Sequence, residues 1–239
     1  MQSFQRKSAL GIGKAAFTLV EMLVVIAIIS VLLTAGSIGL SGMGGKGVTS
    51  GVASAEALFD EARATAVGKS IRASVLVAKS LSNNPADDLK RIVVAYEPVD
   101  GNTGLPTTPP GEAPDWVLSS RGAVLPDQTF FSSELSKKDH SASEALDTVT
   151  LTGAKPAYEG EYYVYEFNSQ GICATPGASF VIGSGSRNLT VSSTSQPPKV
   201  MASSKRDFGG FVIWRNGRTS VFRTPDQISD SLPSTGNTF

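Results

Sequence analysis

The chain carries no net charge: 21 Lys and Arg balance 21 Asp and Glu over 239 residues. The basic residues are scattered, with no run longer than a pair such as that in "LKR" at Leu89–Arg91. No electrostatic case for a nucleic-acid partner follows from that balance. Cysteine and histidine are nearly absent, with one of each, Cys173 and His140. A lone cysteine excludes an intrachain disulfide and leaves the compartment unread. The two residues together cannot supply the roughly four ligands of a Cys/His zinc site. A Ser/His/Asp triad would have to use His140, which sits in the polar stretch "KKDHSAS" and reads as surface loop. Recognisably spaced carboxylate pairs, a nucleophile elbow and a complete phosphate loop are also missing. These absences argue against an enzyme, and they leave no catalytic residue, metal or cofactor to name.

What the sequence has is one long apolar run. "KAAFTLVEMLVVIAIISVLLTAG" covers Lys14–Gly36, with a single carboxylate, Glu21, near its start. A bilayer core of ~30 Å needs about 20 helical residues, and 17–40 meets that length. Residues 1–16 are polar, with Arg6, Lys7 and Lys14 and no acid. Basic residues before a span place its start in the cytoplasm and the rest of the chain across the membrane. An ordinary secretory signal puts a small-residue cleavage site after a shorter apolar core. Here the small residues, Ala15 and Ala16, come before it. A peptidase acting there would remove the leader and leave the apolar helix on the mature protein.

That order, with "AFTLVEMLVVIAIISVLL", resembles the class III signal of type IV pilins and type II secretion pseudopilins. In that signal a small residue precedes the cut, Phe is the first mature residue and Glu the fifth. The matching residues are Ala16, Phe17 and Glu21. The resemblance implies cleavage between Ala16 and Phe17, N-methylation of Phe17, and an assembly role for Glu21. One departure stands out: the family usually has Gly where this chain has Ala16. Cutting at Gly13 instead would put Glu21 at mature position eight and spoil the spacing. An ionised carboxylate in a bilayer costs roughly 2.5–3.5 kcal/mol by insertion scales. The resemblance supplies a reason to keep one: cleavage creates an amine on Phe17, and in a filament Glu21 of an incoming subunit would neutralise a neighbour's amine. A buried charge is tolerated when paired. The competing reading has Glu21 snorkel to the headgroups.

Beyond the run, "SIGLSGMGGKGVTSG" is dense in glycine, which weakens a helix by about 1 kcal/mol per residue relative to alanine. This reads as a flexible joint over 41–51. Gly42, Gly44 and Gly47 match the dinucleotide spacing but follow an apolar helix rather than a strand, so the motif lacks its context. Val52, Ala55, Leu58, Phe59, Ala62 and Ala66 recur at helical spacing and predict an amphipathic helix over 52–68. The pattern then changes to alternation. "SIRASVLVAK", "KRIVVAYE", "DWVLSS", "DTVTLT", "YYVYEFNSQG", "ASFVIG", "LTVSS" and "GGFVIWRNGRTSVFRT" read as strands of a β-rich globular domain over 69–223. Asn216–Gly217 is a hairpin signal. Asp100 lies in a Pro/Gly loop, where Asp-Gly turn chemistry accounts for it better than a calcium ion does. The tyrosines of "YYVYEF" suit sheet packing better than base stacking, because no basic groove accompanies them. The tail over 224–239 is rich in Ser, Pro and Asp and reads as loose.

The fold class expected is therefore α+β: a long N-terminal helix, then an antiparallel β-rich domain. The helix text "LFDEARATAV", the "F.SQG" turn at Phe167–Gly171 and the "NGR" hairpin at Asn216–Arg218 resemble H-type minor pseudopilins and FimT-like minor pilins. The Verru_Chthon cassette protein D group is also similar. The resemblance implies a pilin-like protein of the bacterial inner membrane, single-pass, with its C-terminal domain periplasmic or extracytoplasmic. The implied partners are a prepilin peptidase, other pilins, the inner-membrane assembly platform and membrane lipid. The alternative is a monomeric, membrane-anchored β-rich binding module.

Overall fold

The computed structural model describes residues 19–41, 43–109, 114–139, 144–187, 199–200 and 208–222, without side chains at 31–46 and 199–200. The chain divides into two units, Met1–Gly42 and Met43–Phe239. The first holds helix α1, Leu19–Ser41. The leader over 1–16, the tail over 224–239 and the strand read at "LTVSS" lie outside the described residues.

The second unit opens with α2, Met43–Lys69. Its start lies nine residues before Val52, so the stretch read as a joint is helical from Met43 onward. The reason is tertiary. Val48 is buried, and Gly51 packs so close that a Cβ there would stand 2.7 Å from Ile182 Cδ1. Glycine lowers helix propensity, yet here it lets the helix approach a strand that a side chain would hold off.

Two antiparallel sheets follow. Strands β1 (Ala73–Leu81), β2 (Arg91–Tyr96), β3 (Val117–Leu118), β4 (Ala123–Val124), β6 (Thr148–Leu151) and β7 (Gly160–Phe167) make the first. Its order is β3-β2-β1-β7-β6, with β4 also on β2. The second contains β5 (Thr129–Phe131), β8 (Ala178–Ser186), β9 (Lys199–Val200), β10 (Phe208–Ile213) and β11 (Thr219–Phe222). It runs β11-β10-β8-β5, with β9 on β8. At the centre of the first sheet β1 pairs with β7, Ala73 opposite Phe167 and Leu81 opposite Gly160. An N-terminal helical region followed by antiparallel sheets, with a helix packed against them, is the α+β, pilin-like arrangement expected.

The apolar stripe of α2 enters the space between the sheets. Phe59, fully buried, meets Tyr165 of β7 at 5.1 Å between ring centroids, Phe180 of β8 at 5.6 Å and Phe211 of β10 at 5.0 Å, all edge-on. One side chain thus joins both sheets into one core. The first sheet also buries its other face. Leu76, Ala78, Val93 and Tyr162 pack there under Trp116 and Leu151. This is why "VLVA", Val75–Ala78, is apolar without gaps, where a half-exposed strand would alternate.

The core sets where a soluble fragment must begin. A fragment starting at Met43 should fold without detergent, with circular dichroism dominated by strand. One starting at Val52 loses Val48 and the Gly51 contact and should be less stable by about 2 kcal/mol, from the apolar area given up. Urea denaturation of the two fragments decides it; equal midpoints would show that the first turns of α2 contribute nothing.

Candidate functional site

The first unit presents the chemistry. From Leu19 to Ser30 every side chain of α1 is exposed, including Leu19, Leu23, Val25, Ile26 and Ile29. The helix is apolar around its whole circumference, and such a helix is stable where lipid or other helices surround it. Glu21, in the first turn, is its one acidic residue. Ser30 offsets its polarity locally, its hydroxyl donating to Ile26 O at 2.7 Å. At about 1.5 Å per residue the 23 residues of α1 extend about 34 Å, close to the ~30 Å of a bilayer core. Over the described side chains alone, no helix is long and apolar enough to cross a membrane; the span rests on the sequence of 17–40. Ala16 and Phe17 lie outside the described residues. Glu21 follows Phe17 by four positions, one helical turn in any helix that continues that far.

The other candidates weighed in the sequence resolve into structure. Tyr162 and Tyr165 are buried and use their phenols internally: Tyr162 donates to Tyr158 O at 2.6 Å and Tyr165 to Ser179 O at 2.8 Å. They pack the sheet and offer no stacking platform. The Asp100 carboxylate accepts from Asn102 N at 2.7 Å and closes its own turn. Gly44 and Gly47 are inside α2, so no strand-loop-helix cradle surrounds the dinucleotide spacing. Among the described residues no three His, Cys, Asp or Glu side chains group to hold a metal. Cys173 is buried, and burial raises its thiol above the ordinary value. His140 and Gly42 lie outside the described residues.

The two turn motifs meet. Asn168 Oδ1 accepts from Gln170 N and Ile172 N, both at 2.9 Å, and shapes the "F.SQG" turn. The "NGR" turn closes β10 onto β11, Trp214 N donating to Arg218 O at 2.8 Å. Gly171 and Gly217 have φ of +72° and +73°. Both press on α2: a Cβ on Gly171 would stand 2.8 Å from Val67 Cγ2, and one on Gly217 2.7 Å from Arg63 Cδ. Cys173 N donates to Arg215 O at 3.1 Å and ties the turns together. Spacing alone gave no hint that two motifs so far apart in the chain clasp one helix.

Sequence reasoning also passed over the buried charges. Arg72 donates to both oxygens of buried Glu97, Nε at 2.9 Å and Nη2 at 2.7 Å. Asp88, 3% exposed, accepts from Leu81 N at 2.7 Å. Burial raises its carboxyl from 3.8 to about 6, partly opposed by that hydrogen bond and by Arg187. The folded state therefore holds the Asp88 proton more tightly than the unfolded chain. Stability falls as pH rises from about 4 to about 6, by on the order of 3 kcal/mol. Asp88→Asn keeps an oxygen for Leu81 N and removes the buried charge. It should raise the melting temperature at pH 7.5 and leave it nearly unchanged at pH 4. An equal shift at both pH values would remove Asp88 from the pH dependence.

The described structure thus gives an exposed apolar helix with one early carboxylate, followed in the chain by an α+β unit. Comparison with known families narrows this: the prokaryotic N-terminal methylation motif matches residues 13–37. No curated protein and no solved structure matches the chain. The motif is of prepilin type and covers only those N-terminal residues, with no particular subfamily distinguished. Such a motif implies processing by a prepilin peptidase and anchoring in the inner membrane with the domain outside the cytoplasm. Pilin-like proteins are typically structural rather than enzymatic.

Proposed function

We propose that the chain is a minor pilin or pseudopilin that joins a type II secretion or type IV pilus-like filament through α1. A prepilin peptidase cuts between Ala16 and Phe17, and the new terminus on Phe17 is N-methylated. The inner-membrane platform then builds the subunit in among other pilins. There the Glu21 carboxylate neutralises a neighbour's terminal amine, and the β-rich domain faces outward. The observation that carries this reading is Glu21 itself, the one acidic residue in an apolar, exposed stretch of helix, four positions after Phe17 in the sequence.

Mass spectrometry of protein extracted from the membrane tests the processing step. Phe17 should be the amino terminus, heavier by one methyl group. A mature chain that still begins at Met1 would sink the cleavage between Ala16 and Phe17. The second reading, a monomeric anchored binding module, expects the same membrane fraction but no crosslinks to other pilins.

A further inference from the structure

We propose that the open edge of β11, with the groove between it and α2, binds an extended segment of a partner protein that carries a lysine or arginine among alternating apolar residues. This goes beyond the filament reading, because it concerns the β-rich domain and not α1.

The edge is open. β11 ends its sheet, with β10 on one side and no strand on the other among the described residues. Trp214 N donates to Arg218 O, and hydrogen-bonded pairs alternate along an antiparallel ladder. The register sets Thr219 opposite Ile213, Ser220 opposite Val212 and Val221 opposite Phe211. Ser220 and Phe222 therefore turn their main chain toward β10, and Thr219 and Val221 turn theirs outward. Edges are usually blunted by charge, proline or a bulge. The four residues of β11, "TSVF", contain neither charge nor proline, and their pairing with β10 runs without a register shift. Val221 is 44% exposed.

Beside the edge lies a groove of about 370 Å³ between α2 and the β10–β11 pair. Val48, Val52, Phe208 and Phe222 are among its walls, and Glu56 is its only charged residue among the described ones. Glu56 Oε1 accepts from the Thr219 hydroxyl, so the carboxylate is held at the open edge. No cation pairs with it among the described residues. Outward-facing main-chain groups with no partner strand among the described residues, an apolar slot and one fixed carboxylate together describe strand addition with a side-chain preference. Main-chain bonds to Thr219 and Val221 supply the pairing. Alternate apolar side chains enter the slot, and a lysine or arginine meets Glu56.

The test uses the full chain in detergent micelles and a fluorescein-labelled peptide, Val-Thr-Val-Lys-Val-Thr-Val. Two control peptides carry glutamate in place of lysine, or N-methyl groups on alternate amides. Fluorescence anisotropy should show saturable binding of the lysine peptide, roughly tenfold weaker binding of the glutamate peptide, and none of the N-methylated one. Glu56→Gln retains an acceptor for Thr219 and should erase the preference for lysine. Val221→Lys places a charge on the edge at an exposed position and should weaken every peptide; circular dichroism checks that both variants keep the fold. No saturable binding below ~1 mM, binding indifferent to N-methylation, or binding unchanged in both variants overturns the proposal. So does self-association of the chain that Val221→Lys abolishes and Glu56→Gln does not, since the occupant is then a second copy.

Discussion

Glu21→Ala is expected to enter the membrane and be cut normally, yet to be nearly absent from filaments. Removing a charge makes the span more apolar, so insertion does not suffer. The second unit contains the whole of the β-rich core, so its melting temperature should not move. On the filament reading proposed above, what is lost is one partner of an ion pair between subunits. Leaving a buried charge unpaired costs about 3–5 kcal/mol, a factor of roughly one hundred to a few thousand in association. Crosslinking to other pilins should fall to background. Glu21→Gln separates charge from size, since the side chain is nearly conserved while the pair is gone; it should fail as Glu21→Ala does. If both variants crosslink and assemble as the unaltered chain does, the carboxylate merely snorkels and the filament reading loses its mechanism.

The second large effect is expected at Gly217. An alanine there keeps φ near +73°, a conformation that costs an L-residue about 1–2 kcal/mol. Its Cβ would also stand 2.5 Å from Gly171 O and 2.7 Å from Arg63 Cδ. The oxygen is main chain and cannot swing aside, so the clasp on α2 must open. The total is about 3–4 kcal/mol, which lowers the melting temperature by roughly 10 °C for a domain of this size. Gly153→Ala is the control. Its φ is also +73°, but nothing lies within 4 Å of the added carbon, so it should cost only the backbone strain, about 1 kcal/mol. Thermal melts of the fragment beginning at Met43 compare the two, and equal losses would mean that the clasp at Gly217 is slack.

The elements differ in how far the sequence revealed them. α1 was legible because its signal is local: apolar length, basic flank and the order of small residues. The stripe of α2 was legible by spacing, but its start was not. Helix propensity counts Gly47 and Gly51 against a helix, whereas the fold needs both to bring α2 onto Thr129 and Ile182. β5 was missed altogether, being three residues long and entered through Gln128 at φ +61°. The alternation read in β1 understated its burial, because the second apolar cluster that covers Leu76 is assembled from residues as distant as Trp116, Leu151 and Tyr162. At the proposed site the position of Glu21 was fully visible in sequence. The clasp around Arg63, the buried Asp88 and the open edge of β11 depend on long-range pairing, which spacing does not encode.

The pairing of β1 with β7 also sets a schedule for biosynthesis. Sheets made of contacts distant in sequence form slowly, since loop closure precedes any gain from pairing. β1 is complete at Leu81, but its central neighbour ends only at Phe167, and Phe59 has no aromatic partner from the second sheet until Phe180 and Phe211 are made. A growing chain can set α2 against β1 and β2 early, but the parts of α2 and β1 that meet β7, β8 and β10 stay uncovered until those strands are made. The full core closes only when the last third of the polypeptide has been made.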